Sequence, residues 1–309
     1  VIRDDAPRLR PGRLQHVELA TPTPLAEVTD FYRQWGLEVV HETPDSVALR
    51  GLGTAHHVVR FVSAERCGLG HVAFGASSRP VVDELHRRWA ADGVEIRSEP
   101  GPLTTLGGGY GFDAADPEGR VLRVVTEMIA ADPRPEVSPV PLGITHVVLN
   151  TVDIDLLCSF YVEVLGFAVS DWSEHQMVFL RNGPDHHTIA FNQGEHPSVN
   201  HVAYELASLD HFLTSVGRMK AAGVEPLWGI GRHGPGNNCF AYYGDPAGFV
   251  PELTAEVQQI DDEGWVPRVW QRIPAQSDLW HLAGPPSAEF RRVGAGASDP
   301  DLHPPRWPR

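Results

Sequence analysis

Cysteine is scarce in this 309-residue sequence. Cys67, Cys158 and Cys239 are too few and too scattered for a disulfide framework or a thiolate zinc site, so cysteine redox chemistry is not expected. Long apolar runs are missing too. No stretch approaches the roughly 18 to 20 residues that cross a bilayer, and the opening VIRDDAPRLRPGRL has no signal-peptide h-region, so a cytoplasmic protein without a membrane partner is expected. Positive charge is in deficit: the formal net charge is -15 and no run of lysines or arginines is longer than two, a balance that repels a phosphate backbone and argues against a nucleic-acid partner. What is present is ordinary globular material, 42% hydrophobic, enough for two cores, together with 16 histidines. Histidine is both a metal ligand and the side chain that titrates near neutrality, so these residues are the first place to look for chemistry.

The chain contains itself twice. LQHVELA (14–20) falls over ITHVVLN (144–150), GHVAF (70–74) over NHVAY (200–204), WAADGVE (89–95) over MKAAGVE (219–225), and His56-His57 over His186-His187. After a one-residue slip DPEG (116–119) falls over DPAG (245–248). Two homologous domains follow, 13–128 and 143–257, with a proline-rich linker at 129–142 and a tail at 258–309. The tail has no regular period, and Trp265, Trp270, Trp280 and Trp307 are read as residues anchoring it onto a domain.

Each half divides again. In the first quarter Thr23-Pro24 opens a helix, Leu25, Val28, Phe31 and Tyr32 mark its apolar face, Gly36 stops it, and strand patterns follow at about 37–42, 46–50 and 57–63. The second quarter repeats this from Ser78 and Pro80 to Gly93, through Val82, Leu85 and Trp89. The predicted fold is α+β, two domains each of two βαβββ modules. The glycines at 107–111 lack the GK[ST] ending of a phosphate loop and are read as a hairpin loop.

His146 lies in the middle of ITHVVLN, His201 in VNHVAYEL, and Glu252 after the turn GDPAG in FVPELTAEV. Period-two alternation places all three on mostly apolar strand faces that should point inward. A single inward histidine is more often a hydrogen-bonded core residue than a ligand. A buried carboxylate, however, needs a cation, a hydrogen-bond network or a proton, and two imidazoles with one carboxylate and open positions are the facial triad of non-haem iron.

The segment RHGPGNNCFAYYGDPAGFVPE (232–252) is similar to the signature of the type I extradiol ring-cleavage dioxygenases, within the vicinal oxygen chelate superfamily, and the resemblance covers residues 13–257. It implies mixed sheets curled into an open barrel. It also implies His146, His201 and Glu252 as metal ligands, His187, His233 and Tyr242 as catalytic residues, and Phe179, eight residues before His187, as a substrate-lining residue. Implied as well are an Fe(II) cofactor, with Mn(II) the alternative, a catecholic substrate, O2, a muconic semialdehyde-type product and a homo-oligomer. Trp172 and Trp228 are expected to add aromatic walls. Two departures stand out: Ala241 precedes Tyr242 where a larger residue is usual, and Pro251 removes a strand N–H, which calls for an edge or a bulge.

The duplication is an internal control. His16 and His71 repeat the spacing of His146 and His201, but Arg123 stands in place of Glu252, Thr104 in place of His233 and Asp113 in place of Tyr242. Arginine has no lone pair for a cation, so catalysis is expected in the second half alone, with His16, His57 and His71 as core or network histidines. His175, His196, His211, His281 and His303 match no position in the pattern and are expected to be solvated. Two rival readings stay open: a glyoxalase-type metal isomerase or lyase, which needs no O2, and a metal-free drug-binding protein of the same fold.

Overall fold

The structure, a computed structural model, describes residues 9–132, 139–261 and 264–307. The first eight residues and the middle of the expected linker, 133–138, lie outside the described residues. The first half runs β1 (Leu14–Thr21), α1 (Leu25–Trp35), β2 (Glu38–Thr43), β3 (Ser46–Arg50), β4 (Val59–Ser63), β5 (Gly68–Gly75), α2 (Arg79–Ala91), β6 (Glu95–Ile96), β7 (Gly101–Pro102), β8 (Tyr110–Ala115) and β9 (Val121–Thr126). The second runs β10 (Gly143–Thr151), α3 (Ile154–Glu163), β11 (Ala168–Ser173), β12 (Met177–Arg181), β13 (Ile189–Gln193), β14 (Ser198–Leu206), α4 (Leu209–Ala221), β15 (Trp228–Arg232), β16 (Cys239–Tyr242) and β17 (Pro251–Ala255). After these come β18 (Arg268–Trp270), α5 (Pro274–Ser277) and α6 (Ala288–Gly294). The βαβββ order holds in all four modules, with the two-residue β7 as an addition to the second. The loop before β8 holds Gly107, Gly108 and Gly109 and joins β7 to β8 as a hairpin.

The helices form where spacing and capping agree. Val28, Phe31, Tyr32 and Trp35 bury one face of α1, and Gly36, at φ 105°, ends it in a conformation that β-carbon-bearing residues resist. In the second half Asp153 and Ser208 cap α3 and α4 by accepting the backbone N–H three residues on.

Each half builds one mixed sheet from two modules joined back to back. In the first the order is β2-β3-β4-β1-β5-β9-β8-β6, and in the second β15-β16-β17-β14-β10-β13-β12-β11-β18. The joining pair, β1 with β5 and β10 with β14, is antiparallel, while β4, β9, β13 and β17 pair parallel with their modules' first strands. Each path has free ends. Pro251 departs from expectation: β17 is an interior strand between β16 and β14, and proline is accommodated there as the strand's first residue.

The halves share a core. Trp35 of α1 packs edge-on against Tyr204 and Tyr243 at ring distances of 5.8 and 5.3 Å, and Tyr32 donates to Asp245 Oδ2 at 2.8 Å. At the same seam Arg120, fully buried, pairs with Asp116 and Glu118, while Glu118 accepts from Thr151 Oγ1 at 2.8 Å. Removing one member of such a cluster leaves charges buried without a partner. Arg120→Ala should therefore destabilise the protein by about 3–5 kcal/mol. Urea unfolding checks this, and a loss under about 1 kcal/mol would show that the cluster is solvated after all.

The segment after 257 closes over the second half. Its strand β18 extends the sheet beside β11, Trp265 Nε1 donates to Ser170 O and Trp270 Nε1 to Asp171 Oδ2, both at 2.7 Å, and Trp307 sits 4.8 Å from Phe160. Among the described residues no helix is long and apolar enough to cross a membrane.

Candidate metal centre

Three neighbouring strands carry His146 (β10), His201 (β14) and Glu252 (β17). In the register Ala203 lies opposite both His146 and Glu252, and His201 is two residues before it on the same strand face. The outer two side chains must therefore reach toward each other across the strand between, where the residue opposite both is the small Ala203. They meet: His146 Nε2 is 3.1 Å and His201 Nε2 3.2 Å from Glu252 Oε2. Among the described residues these three form a group whose ligand atoms lie within 4.8 Å of one another, and all are buried.

The hydrogen bonds around them test whether a cation fits. Asn200 Nδ2 donates to Asn150 Oδ1 and Gly294 O, so Asn200 Oδ1 faces His201 Nδ1, at 2.8 Å, and that nitrogen must carry the proton. In the neutral ring, which burial favours, Nε2 then presents a lone pair to a carboxylate oxygen 3.2 Å away. Burial acts to raise the pKa of Glu252, and only protons or positive charge offered from the side of His146 and His201 bring it down to about 2, so with His201 Nε2 unprotonated an ionised carboxylate calls for a cation in that place. Two lone pairs facing each other in a buried site repel unless a cation stands between them. The donors suit a divalent ion of the first transition row. Asn238 Nδ2 donates to Thr254 Oγ1 at 2.9 Å and approaches Glu252 Oε1 at 3.3 Å, orienting the carboxylate from behind.

His187 lies beside this group, its ring 4.1 Å from that of His146. Asp171 can only accept, so His186 Nε2–H donates to it at 3.1 Å. Burial would raise the pKa of Asp171, but bonds from His186, Arg268 N and Trp270 hold it below its usual range. His186 Nδ1 is then an acceptor, and His187 Nδ1–H donates to it at 3.0 Å. Burial, then His146, pushes the pKa of His187 well below its ordinary value. It is a neutral ring whose Nε2 lone pair is available.

His233 and Tyr242 form a second pair, with His233 Nε2 and Tyr242 Oη at 2.8 Å. The ring of His233 stacks on Phe240 at 3.9 Å, and this burial lowers its pKa to about 4. Tyr242 packs 5.0 Å from His201 and parallel to Trp228. Val148, Phe179 and Ala190 form a small apolar cluster, and Phe179 is 5.1 Å from His187. The seven residues singled out in the sequence thus come together in one place. Trp172 does not join them: it stacks on His175 and packs against the main core.

Several members of the site carry no sequence signal. Asp171, Asn200 and Asn238 are single polar residues whose role appears only through their partners. His186 stood out only as half of a repeated pair.

In the first half His16 Nε2 and His71 Nε2 are 2.9 Å apart and the His57 ring lies tilted against His16 at 4.3 Å. Arg123 holds Asp113 by two bonds of 2.8 Å and brings Nη1 to 3.4 Å from His71 Nε2. A guanidinium lies beside the paired imidazoles in the position Glu252 takes in the second half.

Relatives named for manganese stand among the proteins this chain is similar to. Metapyrocatechase 2 of Cupriavidus necator is 27% identical over 84% of this chain and 86% of its own length. A manganese-dependent 2,3-dihydroxybiphenyl 1,2-dioxygenase of Geobacillus genomosp. 3 is 26% identical, over 87% of this chain and 93% of its own. The crystal structure of a Mn(II)-bound glyoxalase from Novosphingobium aromaticivorans superposes with a TM-score of 0.88 at 33% identity, covering 95% of this chain and 97% of that one. The pattern of one superfamily matches twice, at residues 13–124 and 143–253, once for each half of the duplication. The chain therefore belongs to the Glyoxalase/Bleomycin resistance protein/Dioxygenase superfamily.

Proposed function

We propose that the protein is an extradiol dioxygenase that opens a catecholic ring beside its hydroxyls with O2, at an Fe(II), or alternatively Mn(II), held by His146, His201 and Glu252. The observation that carries this reading is the convergence of two imidazole nitrogens on one buried carboxylate oxygen, with a neutral histidine and a histidine–tyrosine pair around the same point. When held by these three residues, such a metal would supply proximity and charge stabilisation to a catechol and O2. His187 Nε2 takes a substrate proton and returns it later in the reaction. The Tyr242 hydroxyl donates a hydrogen bond to His233 Nε2, which leaves the lone pairs of Oη to accept one from a substrate hydroxyl. Val148, Phe179 and Ala190 offer the ring an apolar wall and exclude water from it.

The test is anaerobic loading with Fe(II) or Mn(II), then a panel of catechols and O2, watched for a yellow ring-opened product. A glyoxalase-type isomerase is the second reading, favoured by the 33% identity to a Mn(II)-bound glyoxalase. Turnover of a substrate without O2 would establish it and overturn the first.

The first half should stay metal-free. A cation between His16 and His71 would meet a guanidinium, which offers no lone pair, where the second half offers a carboxylate, and two imidazoles alone are too few ligands to hold it. Metal analysis should give one ion per chain, unchanged with activity in the double variant His16→Gln with His71→Gln. Two ions per chain, one of them lost in that variant, would make the first half a working site.

A further inference from the structure

The tail supplies a contact that the four modules lack. Asp278 is 1% exposed, and its carboxylate accepts four backbone N–H groups, from Arg232 and Trp280 on Oδ1, both at 3.0 Å, and from Leu282 and Ala283 on Oδ2, both at 2.7 Å. Three of the donors belong to the tail. The fourth belongs to the residue before His233. Leu279 N returns a bond to Arg232 O at 2.7 Å, and Gly234 N donates to Gln276 O at 3.1 Å. A β-carbon on Gly234 would lie 2.3 Å from Gln276 O and 2.8 Å from the Trp270 ring, so glycine is what lets the tail come this close. The outcome of this knot is that Ser277 O sits 3.1 Å from His233 Nδ1. A carbonyl can only accept, so His233 carries its proton on Nδ1 and offers Nε2 to Tyr242. Free neutral histidine prefers the other tautomer.

We propose that Asp278 is a positioning residue: by tying the segment 276–283 to Arg232 it holds the Ser277 carbonyl against His233 and so sets the tautomer through which His233 orients the Tyr242 hydroxyl. Its effect on turnover rests on the dioxygenase reading, whereas its effect on the tautomer does not.

The experiment uses the full chain, metal-free and labelled with 15N-histidine, at mildly alkaline pH. Long-range 1H–15N spectra distinguish the two tautomers, and His233→Gln identifies the His233 signals by their loss. The wild type should show His233 protonated on Nδ1, and Asp278→Ala should convert it to the Nε2–H form or a mixture. Asp278→Asn, which keeps one acceptor oxygen, should shift it in the same direction by less, and decides the matter if the alanine variant does not fold. With metal restored, turnover per bound metal should fall roughly 10- to 100-fold with little change in the catechol KM, the scale for groups that orient a metal site from behind. A folded Asp278 variant whose His233 keeps the wild-type spectrum would overturn the proposal, as would an Nε2–H form in the wild type. If the tautomer shifts but no form of the protein cleaves a catechol, it is the dioxygenase reading that fails and the positioning role that stands.

Discussion

Glu252→Ala is expected to reduce bound metal from one ion per chain to background after dialysis against a mild chelator, and ring cleavage to the detection limit. His201→Ala should do the same. The carboxylate is the sole anionic member of the group, and both imidazole nitrogens are aimed at its Oε2. Without it two neutral donors remain, too few to hold a labile divalent ion, and nothing offsets the ion's charge in a buried setting. The fold should persist, because Asn238 keeps Thr254 Oγ1 as an acceptor. Circular dichroism alongside metal analysis separates loss of metal from loss of fold, and full occupancy in either variant would sink the ligand assignment.

His187→Phe should keep metal and bind catechol, yet turn over roughly 100-fold or more slowly, the usual scale for a lost acid–base group. Phenylalanine preserves the ring that packs against His146 and Phe179 and removes both nitrogens. Because Asp171 and His186 together force the lone pair onto Nε2, His186→Phe should produce a milder form of the same defect: a lower kcat at nearly constant KM. Single-turnover kinetics on anaerobically loaded enzyme read both, and unchanged turnover in the His187 variant would remove that residue from the mechanism.

Much of this could be read from the sequence because duplication supplies two copies of each signal. The helix that Gly36 ends and the strand patterns after it were legible from spacing, and His146, His201 and Glu252 from strand alternation joined to a family signature. What stayed hidden depends on register and tertiary approach. That Ala203 lies between His146 and Glu252 follows only once three strands are aligned. Pro251 argued for an edge because its missing N–H is visible in the sequence, whereas its place at the start of an interior strand is not. Trp172 and Trp228 read alike as pocket aromatics, yet strand facing sends one to His175 and the other to Tyr242. Asp278 gave no signal at all, since its partners are backbone amides, which every residue but proline possesses.

The guanidinium of Arg123 gives the two halves different dependence on their surroundings. The first half carries its cation on its own chain, bonded to Asp113 and lying beside His71, so its histidine pair is complete as synthesised. The second half presents the same two imidazoles to a carboxylate and, as proposed above, would collect its cation from solution. On the proposed assignment, free metal would enter the folding equilibrium through that half, adding stability that grows with the logarithm of its concentration. The shared aromatic core would then couple that stability to the other half.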